Sequence, residues 1–142
     1  MEQQERTIIT VNTTVNSPIT KVWEAWTRPE HITHWAFASD DWYSPKATND
    51  LKVGGNFSTT MAAKDGSVSF DFSGTYTDVQ SERFIAYLAD DGRRVEIIFS
   101  SNGEQTAITE AFEAEDINAI ELQQGGWQAI MDNFKKYTES LS

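Results

Sequence analysis

The strongest periodicity in the chain lies near its end. Between residues 117 and 141, Ile120, Trp127, Ile130, Met131, Phe134, Tyr137 and Leu141 recur at three-, four- and seven-residue steps, which gathers them on one stripe of a helix. Asn118 offers a capping oxygen, Glu121 completes a capping box, and Ile117 can staple against Leu122, so the helix is expected from about Ala119 to Leu141. It would be roughly 35 Å long at about 1.5 Å per residue and needs a large apolar surface to cover it. Gly125 and Gly126 interrupt the stripe at a cost of about 1 kcal/mol each relative to alanine. Close approach of another backbone, or a kink before Trp127, is the expected reason.

The rest of the chain alternates with the shorter period of strands. Thr7 to Val15 is rich in β-branched residues and puts Ile9, Val11, Thr13 and Val15 on one face. Ser17 as N-cap and Pro18 as first helical residue then open a short helix carrying Ile19, Val22, Trp23 and Trp26. Pro29 restarts a second helical turn with Ile32 and Trp35 on one side, and Ala36 to Pro45 is expected to be an irregular, aromatic-rich loop. Lys46 to Val53 reads as a weak strand, and Asn56 to Ala62 as a strand with Phe57, Thr59 and Met61 inward. After the Lys64-Asp65-Gly66 turn, Ser67 to Val79 places Val68, Phe70, Phe72, Gly74 and Tyr76 on one face. Arg83 to Leu88 and Arg93 to Ser101 follow, the latter with Val95, Ile97 and Phe99 inward. Asn102-Gly103 then turns the chain into Gln105 to Ala114, with Ile108 and Phe112 on one face.

One strand, two short helices, about six strands and a long helix make an α+β architecture. A curved antiparallel sheet of about six to seven strands is expected to wrap around the terminal helix, with inward Gly74 permitting the bend. A single domain spanning residues 1–142 is expected, since no linker, repeat or low-complexity tract divides it.

Composition narrows the function classes. A net charge of −11 and a pI near 4.4 repel phosphate backbones and anionic lipid surfaces, so nucleic acid and membrane are not expected partners. The absence of cysteine removes thiol nucleophiles, disulfides and cysteine zinc sites, and with no targeting or spanning segment the protein reads as cytoplasmic. Five tryptophans point to a large aromatic core or an aromatic-lined pocket. Candidate lining residues are Phe57, Met61, Phe70, Phe72, Tyr76 and Ile97 from the sheet, with Phe99, Ile108 and Phe112 beyond them. The terminal helix adds Trp127, Ile130, Met131 and Phe134, and Trp26, Trp35, Phe37 and Trp42 are expected near the mouth.

Glu110 is the sharpest single residue. The alternation Ile108, Glu110, Phe112 turns its carboxyl inward, where desolvation would raise its pKa and suit it to anchor a ligand or serve as general acid or base. The alternatives are a bulge that turns it outward or an ion pair with Arg93 or Arg94. His31 and His34 share a helix side near Glu30, Asp40 and Asp41. Without further ligands at fixed spacing they read as surface residues, and no metal is expected. Gly54-Gly55 lacks the lysine and helix of a phosphate loop, no Ser-His-Asp set has supporting context, and no cofactor is implied.

Three stretches carry a family resemblance: Ser17 to Trp35 with its Val22-Trp23-Glu24-Ala25-Trp26-Thr27-Arg28-Pro29-Glu30-His31-Ile32 core, Phe70-Asp71-Phe72-Ser73-Gly74-Thr75-Tyr76, and Gly126-Trp127-Gln128-Ala129-Ile130-Met131-Asp132-Asn133-Phe134. They resemble the bacterial proteins named after the activator of the heat-shock protein 90 ATPase. That family is similar to the START-like, birch-pollen-allergen-like superfamily, also called SRPBCC or polyketide cyclase-like. The resemblance implies a helix-grip fold with an apolar cavity between helix and sheet. It implies non-enzymatic binding of a small hydrophobic or aromatic ligand, lipid- or polyketide-like. Two alternatives follow from the same resemblance: a chaperone-associated interaction module, and a cyclase or hydratase using Glu110, Tyr76 or Tyr87. The eukaryotic activators carry a further N-terminal domain that makes much of the chaperone contact, which a chain beginning almost at its first strand is expected to lack.

Overall fold

The computed structural model describes residues 7–141. In chain order these form β1 (Ile8–Val15), α1 (Ile19–Thr27), α2 (Pro29–Ile32), β2 (Trp42–Asn49), β3 (Asn56–Ala63), β4 (Ser69–Gln80), β5 (Phe84–Ala89), β6 (Arg94–Asn102), β7 (Gln105–Glu113) and α3 (Ile120–Glu139). The strands make one seven-stranded antiparallel sheet in the order β1-β7-β6-β5-β4-β3-β2. The sheet curls into a half-barrel that grips α3, the helix-grip form of an α+β fold. β2 to β7 are a plain meander, so β1 beside β7 and β2 stand at opposite edges. The α1–α2 segment must therefore travel from one edge to the other, and in doing so it covers one end of the trough.

Alternation selects the inner face. Ile9, Val11 and Val15 from β1, Val95, Ile97 and Phe99 from β6, and Ile108 and Phe112 from β7 are buried against Met131 and Phe134 of α3. α3 is also tied to the free edge of β1 by side chains one or two helical turns apart. Gln128 accepts from the Asn12 amide (3.4 Å) and donates to its carbonyl (3.0 Å), while Lys135 Nζ donates to the Thr14 carbonyl (2.7 Å). Glu139 accepts from the Asn16 amide (2.8 Å). These bonds satisfy backbone groups that an edge strand otherwise leaves open, and they fix the helix along the β1 side of the trough.

Several local expectations are corrected. β2 begins at Trp42 and ends at Asn49, because Trp42 and Tyr43 pair with Ala63 and Ala62. The register shift between Tyr43 and Lys46 absorbs Ser44-Pro45, where proline has no N–H to give the ladder. Pro18, not Ser17, occupies the N-cap of α1, and its carbonyl accepts from the Lys21 and Val22 amides. Ala119 is the N-cap of α3 and supplies no side-chain bond. The Asn118 amide group donates instead to Glu115 (2.8 Å), and Ile117 and Leu122 are 89% and 64% exposed, so neither capping box nor staple forms. The start of α3 is held by Gln123, whose Oε1 accepts from the Glu115 amide (2.9 Å) and whose Nε2 donates to the Asn118 carbonyl (2.8 Å).

The two glycine questions resolve in opposite directions. A Cβ on Gly74 would lie 2.7 Å from the Leu88 carbonyl oxygen and 2.9 Å from the Phe57 ring, so this position admits no side chain. Around Gly125 and Gly126 a Cβ would meet nothing within 4 Å, and α3 runs unbroken through both. Close backbone approach is therefore not their reason. Gly74→Ala is expected to destabilise the fold by about 1–3 kcal/mol, and Gly125→Ala to stabilise it by about 1 kcal/mol. Urea unfolding of the two variants beside the parent checks both signs.

Candidate functional site

The inward residues of β3 to β6 face a helix that lies along the far side of the trough, and between them a cavity of about 510 Å³ remains. That volume falls within the range of small-molecule pockets. Phe57, Thr59 and Met61 of β3, and Phe70, Phe72 and Tyr76 of β4, form one wall. Ile85 and Tyr87 of β5, Ile97 of β6 and Glu110 of β7 form the floor, while Gly126, Trp127, Ile130 and Met131 of α3 form the opposite wall. Trp26, Trp35, Phe37 and Trp42 lie around the end closed by α1 and α2. Phe70 is 49% exposed, because β4 runs past the core at its start.

Aromatic packing decides which rings reach the void. Phe57 sits at the centre of the wall, with ring centroids 4.7 Å from Tyr87, 5.3 Å from Tyr76 and 6.0 Å from Phe72. Four expected lining residues are not among those that line the cavity. Phe112 lies under Trp127, the two rings stacked at 3.8 Å and 12°. Phe99 and Phe134 pack against Trp26 at 5.6 and 4.8 Å, and the tryptophan stands between them and the space. Ile108 is likewise fully buried in the core. The other expected lining residues, from Trp26 to Met131, do line the cavity.

Glu110 faces inward at 7% exposure, in register with Val11 on β1 and Ile97 on β6. Neither alternative for it holds: the ladder is unbroken there, Arg93 pairs with Asp91 (2.8 Å), and Arg94 lies 3.9 Å from Glu113. Burial pushes its carboxyl up to about 8 with no bond or charge offsetting the desolvation. Tyr87 is raised well above its ordinary value, first by burial and then by the charge of Glu110. Tyr76 is raised by burial despite donating to Asn49 Oδ1, while Asn49 Nδ2 donates to the Thr27 carbonyl (2.6 Å).

Polar members of the lining, Asn49, Arg93 and Gln123, were not legible as such, and Tyr87 was expected only as an alternative acid or base. Phe84-Ile85-Ala86-Tyr87-Leu88-Ala89 is apolar throughout, so alternation alone does not say which face turns in. Pairing of Tyr87 with Val95 and of Ile85 with Ile97 is the signal that does. The histidines are engaged elsewhere: His31 Nδ1 shares a hydrogen bond with the Tyr137 hydroxyl (2.6 Å), and the His34 ring stacks on Tyr137 at 5.3 Å. Among the described residues no cluster of three or more His, Asp or Glu side chains could hold a metal, and no helix is long and apolar enough to cross a membrane.

The family model described as "Activator of Hsp90 ATPase homolog 1-like protein" matches residues 16–139. The chain belongs to this family. No curated protein matches it. Among solved structures it is similar to the AHSA1-like protein of Aeromonas hydrophila, at 42% identity and a TM-score of 0.89 over 95% of this chain and 94% of that one. A Cytophaga hutchinsonii protein is 53% identical with a TM-score of 0.80, covering 94% and 92% of the two chains. A Nitrosomonas europaea protein shares the fold at 18% identity, with a TM-score of 0.81 and 98% coverage of each chain.

Within this activator-like fold Glu110 makes stability depend on pH. Its folded pKa of about 8 stands above the ordinary 4.5, so the folded state holds the proton more tightly. Stability is thus greatest at low pH for this group and falls as pH rises from about 4.5 through 8, by roughly 4–5 kcal/mol in all. Urea unfolding from pH 5 to 9 should show this extra loss in the parent and not in Glu110→Gln. Parallel pH profiles would mean the carboxyl is solvated.

Proposed function

We propose that the protein binds a small hydrophobic or aromatic molecule, lipid- or polyketide-like in character, in the cavity between α3 and the sheet, without catalysing a reaction. The observation that carries this reading is the 510 Å³ space itself, walled by aromatic and aliphatic side chains. Ordinary cores close such spaces because unfilled volume forfeits dispersion contacts. Gly126 supports the reading, since a helix former there would meet no neighbour and cost nothing in packing, yet the wall keeps the smallest residue. Binding is favoured over turnover because the hydroxyl of Tyr76 is spent on Asn49 and, among the described residues, no nucleophile is hydrogen-bonded to Glu110. A cytoplasmic setting fits the absence of cysteine.

A second reading, a chaperone-associated interaction, draws on the family's name and on one surface feature. Ile117 and Leu122 project beside the start of α3 with most of their area in solvent. It does not require the cavity to be filled.

Pyrene, a neutral apolar probe, should enter the parent protein and quench its tryptophan emission through Trp127 and the tryptophans at the closed end. Ile130→Trp, which places a larger ring on a half-buried lining position, should weaken that uptake at least about tenfold while leaving the urea midpoint nearly unchanged. Undiminished uptake in a folded Ile130→Trp variant would remove the cavity as the binding place.

A further inference from the structure

The floor of the cavity carries two polar groups that the protein leaves without partners. Glu110 pairs across β6 with Ile97, and Tyr87 pairs with Val95 two residues away, so both side chains stand diagonally on the same inner face. They are 7% and 8% exposed, and both line the cavity. Among the described residues no hydrogen bond reaches either the Glu110 carboxyl or the Tyr87 hydroxyl. Buried polar groups are almost always paired, and an unpaired carboxyl aimed into an apolar space is among the costliest exceptions.

The surroundings say what kind of group would pair with them. Arg93 reaches the same cavity, but its Nε is held by Asp91 at 2.8 Å, and its charge is felt by Tyr87 without offsetting Glu110. β1 turns only Ile9, Val11, Thr13 and Val15 toward the trough, and α3 presents Gly126, Trp127, Ile130 and Met131. None of these titrates. Tyr76 and Tyr87 are kept neutral by burial, and Glu115 lines the cavity from the loop before α3. Among the described residues the carboxyl therefore has no resident cation. Around it the rings of Phe57, Phe72, Tyr87 and Trp127 offer π faces that attract positive charge, and the chain's net charge of −11 draws cations toward it.

We infer that the cavity takes an apolar or aromatic molecule bearing a protonated amine, with the ammonium N–H groups donating to the Glu110 carboxylate and the apolar body lying among the aromatic walls. The inference rests on the ligand-binding reading above and adds the chemical class of the ligand's polar end. Binding is coupled to ionisation: the carboxyl proton leaves to solvent, the amine keeps its own, and a buried ion pair replaces a neutral acid.

The test compares 1-naphthylmethylamine with its neutral isostere 1-naphthalenemethanol by titration calorimetry, in the parent and in Glu110→Gln. The amine should bind the parent at least about tenfold more tightly than the alcohol at pH 7.5, and Glu110→Gln should abolish that preference while still binding the alcohol. Amine affinity in the parent should rise by up to about tenfold per pH unit from pH 6 toward 8 and be flat in the variant, and buffers of different ionisation enthalpy should report proton release. Alcohol binding equal to or tighter than amine binding in the parent would overturn the inference and leave the cavity reading standing. Retention of the amine preference in Glu110→Gln would overturn it too. Failure of both probes to bind the parent would bring down the cavity reading together with it.

Discussion

The attachment of α3 to one edge of the sheet is the constraint from which the site follows. A helix lying in a curved sheet can settle anywhere across the trough that buries its apolar stripe. Here Gln128, Lys135 and Glu139 reach the open backbone groups of Asn12, Thr14 and Asn16, so the helix is drawn to the β1 side. Met131 and Phe134 then fill the space over β1, β6 and β7. The opposite half of the trough, under β3, β4 and β5, is left without helical cover. The cavity is the consequence of a docking geometry that also protects an edge strand from pairing with another chain.

Trp127 marks the line between the filled and unfilled halves. Its ring lies flat on Phe112 and meets the Phe72 edge at 5.8 Å, so it closes the core on one side and forms a cavity wall on the other. Trp26 does the same at the end covered by α1, resting on Phe99 and Phe134 and turning its remaining surface to the void. Large rings serve here because a flat, rigid surface spans a boundary with little side-chain entropy lost. Smaller residues in these places would merge cavity and core.

The periodic part of the fold was legible in the chain. Strand alternation put Val95, Ile97 and Phe99 on one face, and the seven-residue recurrence of Trp127 and Phe134 declared the helix that covers them. What alternation could not separate was the inner face into core and lining, because Phe57 and Phe112 carry the same signal and differ only in what lies above them. That difference is set by where α3 sits across the trough, a consequence of hydrogen bonds from polar residues outside the apolar stripe. The caps failed for a related reason: Gln123, buried and bonded to the Glu115 amide, fixes the start of α3 in place of the side chains nearest the helix end. β2 was misplaced because its first residues look like loop until the pairing of Trp42 with Ala63 is known.

Glu110 shows how the same geometry relaxes a local rule. On a sheet fully covered by helix, an inward glutamate between Ile108 and Phe112 would be forced to find a partner or be replaced by an apolar residue of similar volume. Glu110 stands on β7 at the boundary of the half that α3 covers, and there its carboxyl borders open volume instead of packed atoms, which relaxes that demand. Its desolvation is incomplete enough to be tolerated and large enough to hold the proton near neutrality. The cavity and the carboxyl therefore depend on each other: with the space filled, the residue would be a defect, and with the carboxyl absent, the space would offer only shape and apolar area.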